Sequence, residues 1–234
     1  MLGVDACRDG WVGIAWGGGD ELWAYAGTTV ADVLDLCAAD GPVAVTGIDI
    51  PIGLPDAGPR QADLAARLAV GPRRSSVFET PVRAALEAPD QATAGRINHA
   101  ATGRRVSAQA FGLRHRILEV DAWLRDVPAN ERPAVYEVHP ELCFALMAGS
   151  GQLGTLADSK RTWAGVEQRR MLLAREGIFL AGTLGAAGTK AGVDDVLDAA
   201  AVAWTAARLT AGDAKSLPDP PQVFSDGVPA AIWV

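Results

Sequence analysis

The alternation of apolar and polar residues at the start of the chain predicts a β-hairpin followed by a third strand. Two short apolar runs, residues 2–7 and 10–16, flank an Arg-Asp-Gly turn, and Asp-Gly between such runs is typical of a hairpin. A glycine-rich turn then leads into an apolar stretch over residues 21–28. We therefore expect the sheet to begin with three antiparallel strands.

The segments that follow predict a helix and two further strands. Apolar residues recur with helical spacing over residues 29–39, and Gly-Pro ends that pattern. The nearly continuous apolar run of residues 43–50 is typical of a strand that is covered on both faces. Residues 134–138 predict another strand. The order of elements indicates an α/β fold with a mixed sheet, in which three antiparallel strands precede parallel ones.

Between these last two strands lies a stretch with a different pattern. It starts with many prolines and glycines and continues with helical periodicity, so we predict a helical insertion at about residues 56–132 within a single domain of residues 1–234. The helices predicted there are residues 61–68, a short helix opened by Pro81, residues 92–101 and residues 107–124.

The C-terminal third predicts mainly helices. A short helix at residues 140–147 precedes a glycine-rich loop at 149–158. The next helix, residues 161–176, is expected to turn Val166, Met171, Leu172 and Leu173 inward. Residues 193–211 are apolar on nearly all sides and predict a buried helix, residues 215–223 predict a loop, and residues 230–234 an edge strand or a cap.

Composition excludes several classes of protein. The chain is 49% apolar and 21% charged, which is ordinary for a globular protein. It has no apolar span of 18 residues and no signal-peptide pattern, so we expect no membrane segment. Its three cysteines, with no CxxC pair, indicate free thiols in a cytoplasmic protein and do not support a zinc site.

The charge is unevenly distributed along the chain. The net charge is -7, yet residues 60–132 hold twelve arginines against eight acids. Such a basic region can face phosphates even on an acidic protein. A solvated helical surface is the alternative explanation.

Three acids occupy positions where a charge is costly. Asp5 lies in the middle of a predicted strand, where it either caps a turn, pairs with Arg8 or serves a function. Asp49 and Glu137 lie near the ends of two later strands. Open α/β sheets bind their ligands at the carboxyl ends of strands. A turn or cap role is the alternative for each of the two.

A further group of acids opens the last helix. Asp195 and Asp198 are three residues apart and share a helix face. Capping and the helix dipole explain Asp194 and Asp195 well but Asp198 poorly, because its face continues into the core. Carboxylates without a Cys or His cluster point to Mg²⁺ or Mn²⁺, and such ions suit in-line attack at phosphorus.

Several other polar residues are candidates for contact with the substrate. Arg73, Arg74 and Ser75 lie in a predicted loop, and guanidinium binds phosphate in a bidentate manner. Lys160 follows the glycine-rich loop and is expected either to reach the same phosphate or to pair with an acid of the cluster. His139 is either an outer base or a structural residue.

The order of strands and acids is similar to that of the ribonuclease H-like superfamily. The Asp-x-x-Asp-Ala sequence of the last helix resembles the C-terminal motif of its Holliday-junction resolvase branch. More closely, nearly the whole chain resembles the DUF429 family of predicted RNase H-like nucleases. The matching stretches are residues 3–5, 10–11, 48–55 (IDIPIGLP), 73–78 (RRSSVF), 80–81, 107–109 (SAQ), 136–141 (YEVHPE), Lys160, Gly165, Arg169 and 195–199 (DVLDA).

This resemblance implies an RNase H-like fold and places the superfamily's metal-binding acids on Asp5, Asp49, Asp195 and Asp198. Glu137 matches the family's own motif. The implied activity is metal-dependent hydrolysis of a phosphodiester in a nucleic acid or another phosphate ester. Two alternatives stay open, an ATP-dependent phosphotransferase like the sugar kinases and a non-catalytic binding module.

Overall fold

The computed structural model describes residues 1–19, 21–128, 130–149, 153–154, 156 and 158–234. The chain divides into two compact units. The first unit comprises residues 1–49 and 129–214 together with Val234, and the second comprises residues 50–128 and 215–233. The fold is α/β with antiparallel and parallel strands, as the sequence predicts.

Within the described residues, the strands are β1 (Leu2–Cys7), β2 (Gly10–Gly18), β3 (Glu21–Gly27), β4 (Val45–Ile48), β5 (Ala134–Val138), β6 (Ser216–Val223) and β7 (Pro229–Trp233). The α-helices there are α1 (Val30–Asp40), α2 (Gln61–Ala69), α3 (Arg83–Leu86), α4 (Gln91–Thr102), α5 (Ala108–Asp126), α6 (Pro140–Ala148), α7 (Trp163–Arg175), α8 (Gly185–Lys190) and α9 (Val193–Ala211). A 3₁₀ segment, Gly71–Ser76, follows α2. In this part of the chain, every helix is too short or too polar to span a membrane.

The first unit is built on five strands in the order β3-β2-β1-β4-β5. Strands β1, β2 and β3 are antiparallel, whereas β4 and β5 run parallel to β1. Helix α9 packs along one face of β1, β2 and β4, and α1 packs on the other face. Because both faces are covered, the central strands are almost wholly buried, as their apolar runs predict.

The second unit contains helices α2 to α5 and the antiparallel hairpin of β6 and β7. Small apolar side chains of α3, α4 and the start of α5 form its local core. Partly buried ion pairs add to this core, because the Arg83 guanidinium contacts both Asp121 on α5 and Asp226 in the β6–β7 turn. The helical segment and the C-terminal hairpin therefore form one unit.

Most of the predicted elements are confirmed. The strand at residues 134–138 and the helix at residues 193–211 have the predicted bounds, and the final apolar stretch forms strand β7. Thr29 is the N-cap of α1 and exchanges hydrogen bonds with Asp32, which explains why the helix begins there. The predicted glycine-rich loop at 149–158 lies partly outside the described residues.

Four details differ from the sequence predictions. Residues 216–223 form a strand, so the prediction of a loop is wrong. The short helix begins at Arg83 and not at Pro81. Met171 is 65% exposed instead of inward, and Arg169 takes the buried position on that helix. Helix α8 has no counterpart in the sequence prediction.

Candidate functional site

Strands β1 and β4 bring Asp5 and Asp49 to the same face of the sheet. The two strands are parallel, with Val4 opposite Ile48, and the Asp49 backbone N–H continues the ladder by donating to the Val4 carbonyl at 2.9 Å. Successive side chains of a strand point to opposite faces. The two acids that follow Val4 and Ile48 therefore share a face, as the sequence prediction of a common site requires.

Two glycines allow α9 to lie directly against that face. A Cβ atom on Gly3 would stand 2.1 Å from the Ala199 carbonyl oxygen, and one on Gly47 would stand 2.7 Å from Cγ1 of Val202. No larger side chain fits between helix and strands at these positions without displacing the backbone. This close approach brings Asp198, on the second turn of α9, to the strand acids.

The three acids are held in an environment that favours their protonated forms. Asp5 and Asp198 are buried and Asp49 is half-buried. Burial raises the pKa of Asp49 and that of Asp198 to about 7. Burial also raises the pKa of Asp5 well above its usual range, and the charges of Asp49 and Asp198 add to this effect. The cluster therefore needs a cation to be fully ionised at neutral pH.

Lys160 supplies positive charge at the cluster. Its Nζ donates to Oδ2 of Asp198 at 2.6 Å and lies 3.6 Å from Oδ2 of Asp194. Partial burial lowers the pKa of Lys160, but the carboxylates of Asp198 and Asp5 more than offset this and raise the pKa above its ordinary value. Of the two roles predicted for Lys160, the structure shows the pairing with an acid.

One oxygen of the cluster has no protein partner. Oδ1 of Asp198 is buried, and none of the described residues hydrogen-bonds to it. A buried carboxylate oxygen without a partner is costly and marks a position where a cation is favourable. The donor atoms are hard carboxylate oxygens, which suit Mg²⁺ or Mn²⁺.

The arrangement of the side chains is nevertheless that of a lysine-paired cluster. In the described part of the chain, no group of three or more His, Cys, Asp or Glu side chains is positioned to hold a metal ion. Lys160 provides the counter-charge to Asp198 that a metal would provide. The residues therefore fit a divalent ion by their chemistry, with Oδ1 of Asp198 unpartnered by the described residues and Oδ2 bonded to the Lys160 ammonium.

Asp195 combines a capping role with a contribution to the cluster. Its Oδ2 accepts a hydrogen bond from the Gly192 backbone N–H at 3.0 Å, which closes the first turn of α9. Burial raises the pKa of Asp195, and its charge in turn contributes to the raised pKa of Asp5. The capping explanation and the predicted place near the other acids are both observed.

The register of β4 and β5 places Glu137 on the face of the sheet opposite to that of Asp5 and Asp49. In the parallel pair of β4 and β5, Glu137 lies opposite Ile48, so it shares the face of Ile48 and not that of Asp49. Glu137 is buried on that side of the sheet. His139 is half-buried at the N-cap position of α6 and makes no side-chain cap there.

Residues 3–223 match the family model described as "Protein of unknown function (DUF429)". The chain belongs to the DUF429 family. The matched range includes every acid of the cluster and confirms the resemblance to the DUF429 family. No curated protein and no solved structure matches the chain.

In this DUF429 chain, sequence reasoning missed one acid of the site, Glu141. Its charge raises the pKa of Asp49 and that of Asp198. Glu141 is fixed by the buried Arg169, whose Nη2 donates to Glu141 Oε1 at 2.6 Å. Both residues belong to the stretches that resemble the family, but only the fold reveals that they form a pair and that the Glu141 charge acts on the cluster.

The predicted phosphate-contacting residues of this DUF429 chain lie in the second unit. Arg73, Arg74 and Ser75 belong to the 3₁₀ segment that follows α2. Arg74 and Ser75 are exposed and Arg73 is half-buried. Their exposure leaves them accessible to a ligand.

Proposed function

We propose that this DUF429 protein is a divalent-metal-dependent phosphodiester hydrolase, a nuclease that acts on nucleic acid. The observation that carries the proposal is the cluster of the buried Asp5 and Asp198 with the half-buried Asp49, in which one carboxylate oxygen of Asp198 is unpartnered by the described residues. A purely structural ion pair needs one acid for one base. Here three acids and Asp195 face a single ammonium, so further positive charge is needed before all of these acids ionise at neutral pH.

The ion that best suits these donors is Mg²⁺ or Mn²⁺, held by Asp5, Asp49 and Asp198, with Asp195 completing the set. When bound, such an ion lowers the pKa of a water nucleophile and neutralises charge on the scissile phosphate. Glu141, which is paired with Arg169, adds negative charge near these acids and so favours the approach of a cation. Glu137 was predicted to join the acids. Because it lies on the other face of the sheet, we propose that it has a structural role in β5.

The remaining candidates have roles in binding the substrate. Once a divalent ion replaces it at Asp198, the Lys160 ammonium is available to donate to a phosphate oxygen, and its one-third exposed side chain allows that movement. Arg73, Arg74 and Ser75 are proposed as contacts to phosphates further along the substrate. His139 is proposed as an outer residue that orients the ligand.

The Lys160–Asp198 pair favours one competing function, a non-catalytic binding module. In that case the ammonium is the permanent counter-charge and no metal enters the site. Metal binding and turnover distinguish the two functions.

The test is to measure Mn²⁺ binding by calorimetry and the cleavage of fluorescent RNA and DNA oligonucleotides. Asp198→Asn keeps the size of the side chain but removes its charge, so we expect loss of Mn²⁺ binding and a drop in cleavage of about a hundredfold or more. Asp213→Asn is the matched control, because Asp213 is exposed just beyond the other end of α9. Absence of Mn²⁺ binding by the unmodified protein would contradict the proposal.

We further expect the protein to act in the cytoplasm. The three cysteines, Cys7, Cys37 and Cys143, are all free and buried. Free thiols are typical of a reducing compartment.

A further inference from the structure

A cavity of about 360 Å³ lies within the second unit. Its wall combines residues of α2, the segment after α2, the end of α4 and the start of α5. A volume of this size is typical of sites for small ligands or for one group of a larger ligand. Its charged lining residues are four arginines and one glutamate, namely Arg60, Arg67, Arg104, Arg105 and Glu79.

Two of these arginines form a fixed wall. The buried Arg60 donates through Nη1 to Asp63 at 2.8 Å and through Nη2 to the Ile52 carbonyl at 2.6 Å. Arg67 donates through Nη1 to the Val77 carbonyl, also at 2.6 Å. Because their guanidinium groups are held by the protein, this side of the cavity is rigid before any ligand arrives.

The other two arginines lie on the exposed side of the cavity and leave an excess of positive charge there. Arg104 forms an ion pair with Glu79, the only acid in the lining. Arg105 is exposed and forms no ion pair with any described residue. An anion that enters the cavity therefore meets at least one uncompensated guanidinium group.

Uncharged donors line the same cavity. Ser75 comes from the segment after α2, whereas Ser107 and Gln109 come from the start of α5. Ser107 Oγ accepts from the Ala110 backbone N–H at 3.1 Å, so its own hydroxyl proton is available to a ligand. The positive end of the dipole of α5, a helix of 19 residues, adds to the attraction for an anion.

We infer that this cavity binds the phosphate group of a phosphate ester through Arg105, Ser75, Ser107 and Gln109. These donors come from two segments of the unit, the 3₁₀ segment with Ser75 and residues 105–109 at the start of α5, so they can reach different oxygens of one tetrahedral anion. The inference explains why the RRSSVF and SAQ stretches, about thirty residues apart in the sequence, contribute to one cavity. It does not depend on the proposed hydrolase activity.

The test is calorimetry in EDTA, which keeps the acid cluster free of metal, with inorganic phosphate, AMP and adenosine as probes. We expect phosphate and AMP to bind and adenosine not to bind. Arg105→Ala should weaken the binding of AMP about tenfold, since a charge-assisted hydrogen bond is lost. Arg96→Ala is the matched control, because Arg96 is exposed in the same unit but does not line the cavity.

A second variant tests whether Arg105→Ala weakens binding only because it disturbs the fold. Gln109→Glu places a carboxylate at the cavity on the first turn of α5, where the helix dipole tolerates it. We expect it to weaken AMP binding at least as much as Arg105→Ala, with an unchanged melting temperature.

A labelled oligonucleotide distinguishes the source of the phosphate. Binding of AMP assigns the cavity to a free nucleotide or a strand end, whereas Arg105-dependent binding of the oligonucleotide alone assigns it to the phosphates within a strand. The inference is overturned if the unmodified protein binds none of phosphate, AMP and oligonucleotide in the millimolar range. It is also overturned if Arg96→Ala and Arg105→Ala weaken binding equally.

Discussion

Asp198 carries a free-energy cost that depends on pH. Burial raises its pKa from 3.8 to about 7, and the pKa of Asp49 rises equally. The unfolded chain has released these protons by neutral pH, whereas the folded chain still holds part of them. The contribution of these two carboxyls to the free energy of unfolding is therefore greatest below about pH 4, and it falls as the pH rises to about 7.

This dependence predicts the behaviour of Asp198→Asn in EDTA. The variant lacks the Asp198 carboxyl, one of the two groups whose raised pKa makes stability fall with pH. Its melting temperature should therefore exceed that of the unmodified protein at about pH 7.5 and nearly equal it at about pH 4.5. Asp213→Asn, which alters an exposed acid, should follow the unmodified protein at both values. Identical pH profiles for Asp198→Asn and the unmodified protein would show that Asp198 does not carry this cost.

Under the proposed function, Lys160 and a divalent ion compete for the Asp198 carboxylate. Lys160→Met removes the ammonium that lies 2.6 Å from Asp198, so we expect the affinity for Mn²⁺ to rise about tenfold. Its metal-free stability should fall at neutral pH, because the remaining acids lose their counter-charge. Calorimetry with Mn²⁺ and thermal melts test both effects, with Lys190→Met at an exposed lysine as control. An unchanged or weaker affinity would mean that Lys160 is a structural counter-ion.

At the scale of single residues, the sequence predicted the acids that occupy positions where an apolar residue is expected. A charge within an apolar run, as at Asp5, is visible without any structure, and so is an acid on the buried face of a helix, as at Asp198. The pair of Glu141 and Arg169 was not predictable as a pair, because its members are 28 residues apart and meet only through the packing of α6 and α7.

At the scale of elements, the sequence predicted the strands that have uniform apolar runs. It did not predict β6, whose composition is unusual for a strand. Strand β6 contains three prolines, which cannot donate to a ladder. It pairs with β7 only near its two ends, with Ser216 opposite Trp233 and Gln222 opposite Ala230. Helix α7 was predicted, but its inward face was not, because the buried Arg169 occupies a position that periodicity assigns to an apolar residue.

The contact between α9 and the sheet predicts the effect of a single methyl group. Gly47→Ala places its Cβ within 2.7 Å of Val202, so we expect it to lower the free energy of unfolding by about 1–3 kcal/mol. Gly95→Ala is the matched control, because a Cβ on this helical glycine meets no atom within 4 Å. It should be neutral or stabilising by up to about 1 kcal/mol. Urea unfolding measures both, and equal effects at the two sites would contradict the close-packing explanation.

At the scale of the whole molecule, the net charge of -7 hides the basic region at residues 60–132. That region lies almost wholly in the second unit, whereas the acid cluster belongs to the first. The sequence predicted the helical segment and its excess of arginine. It did not predict that the C-terminal hairpin joins the same unit, because that association depends on contacts between residues far apart in the chain.

This distribution predicts how binding to nucleic acid depends on salt. The logarithm of the affinity for an oligonucleotide should fall with the logarithm of the salt concentration, by roughly 0.7–0.9 for each phosphate neutralised. Replacing Arg73 and Arg74 by alanine should reduce that slope without altering base preference. Fluorescence anisotropy in Ca²⁺ over a salt series tests this, with Arg96 and Arg175 replaced together as a control of equal charge. Binding that does not depend on salt would exclude a polyanionic ligand.

The position of Lys160 makes folding of the protein independent of the concentration of metal in the cell. An ammonium tethered next to Asp198 is present at an effective concentration that is independent of the medium. A newly synthesised chain therefore has a counter-charge for Asp198 while it folds in a metal-poor cell, and under the proposed function divalent ions enter a site that has already folded. Under the proposed function, metal starvation would silence the enzyme while its abundance stayed constant, and resupply would restore activity without new synthesis.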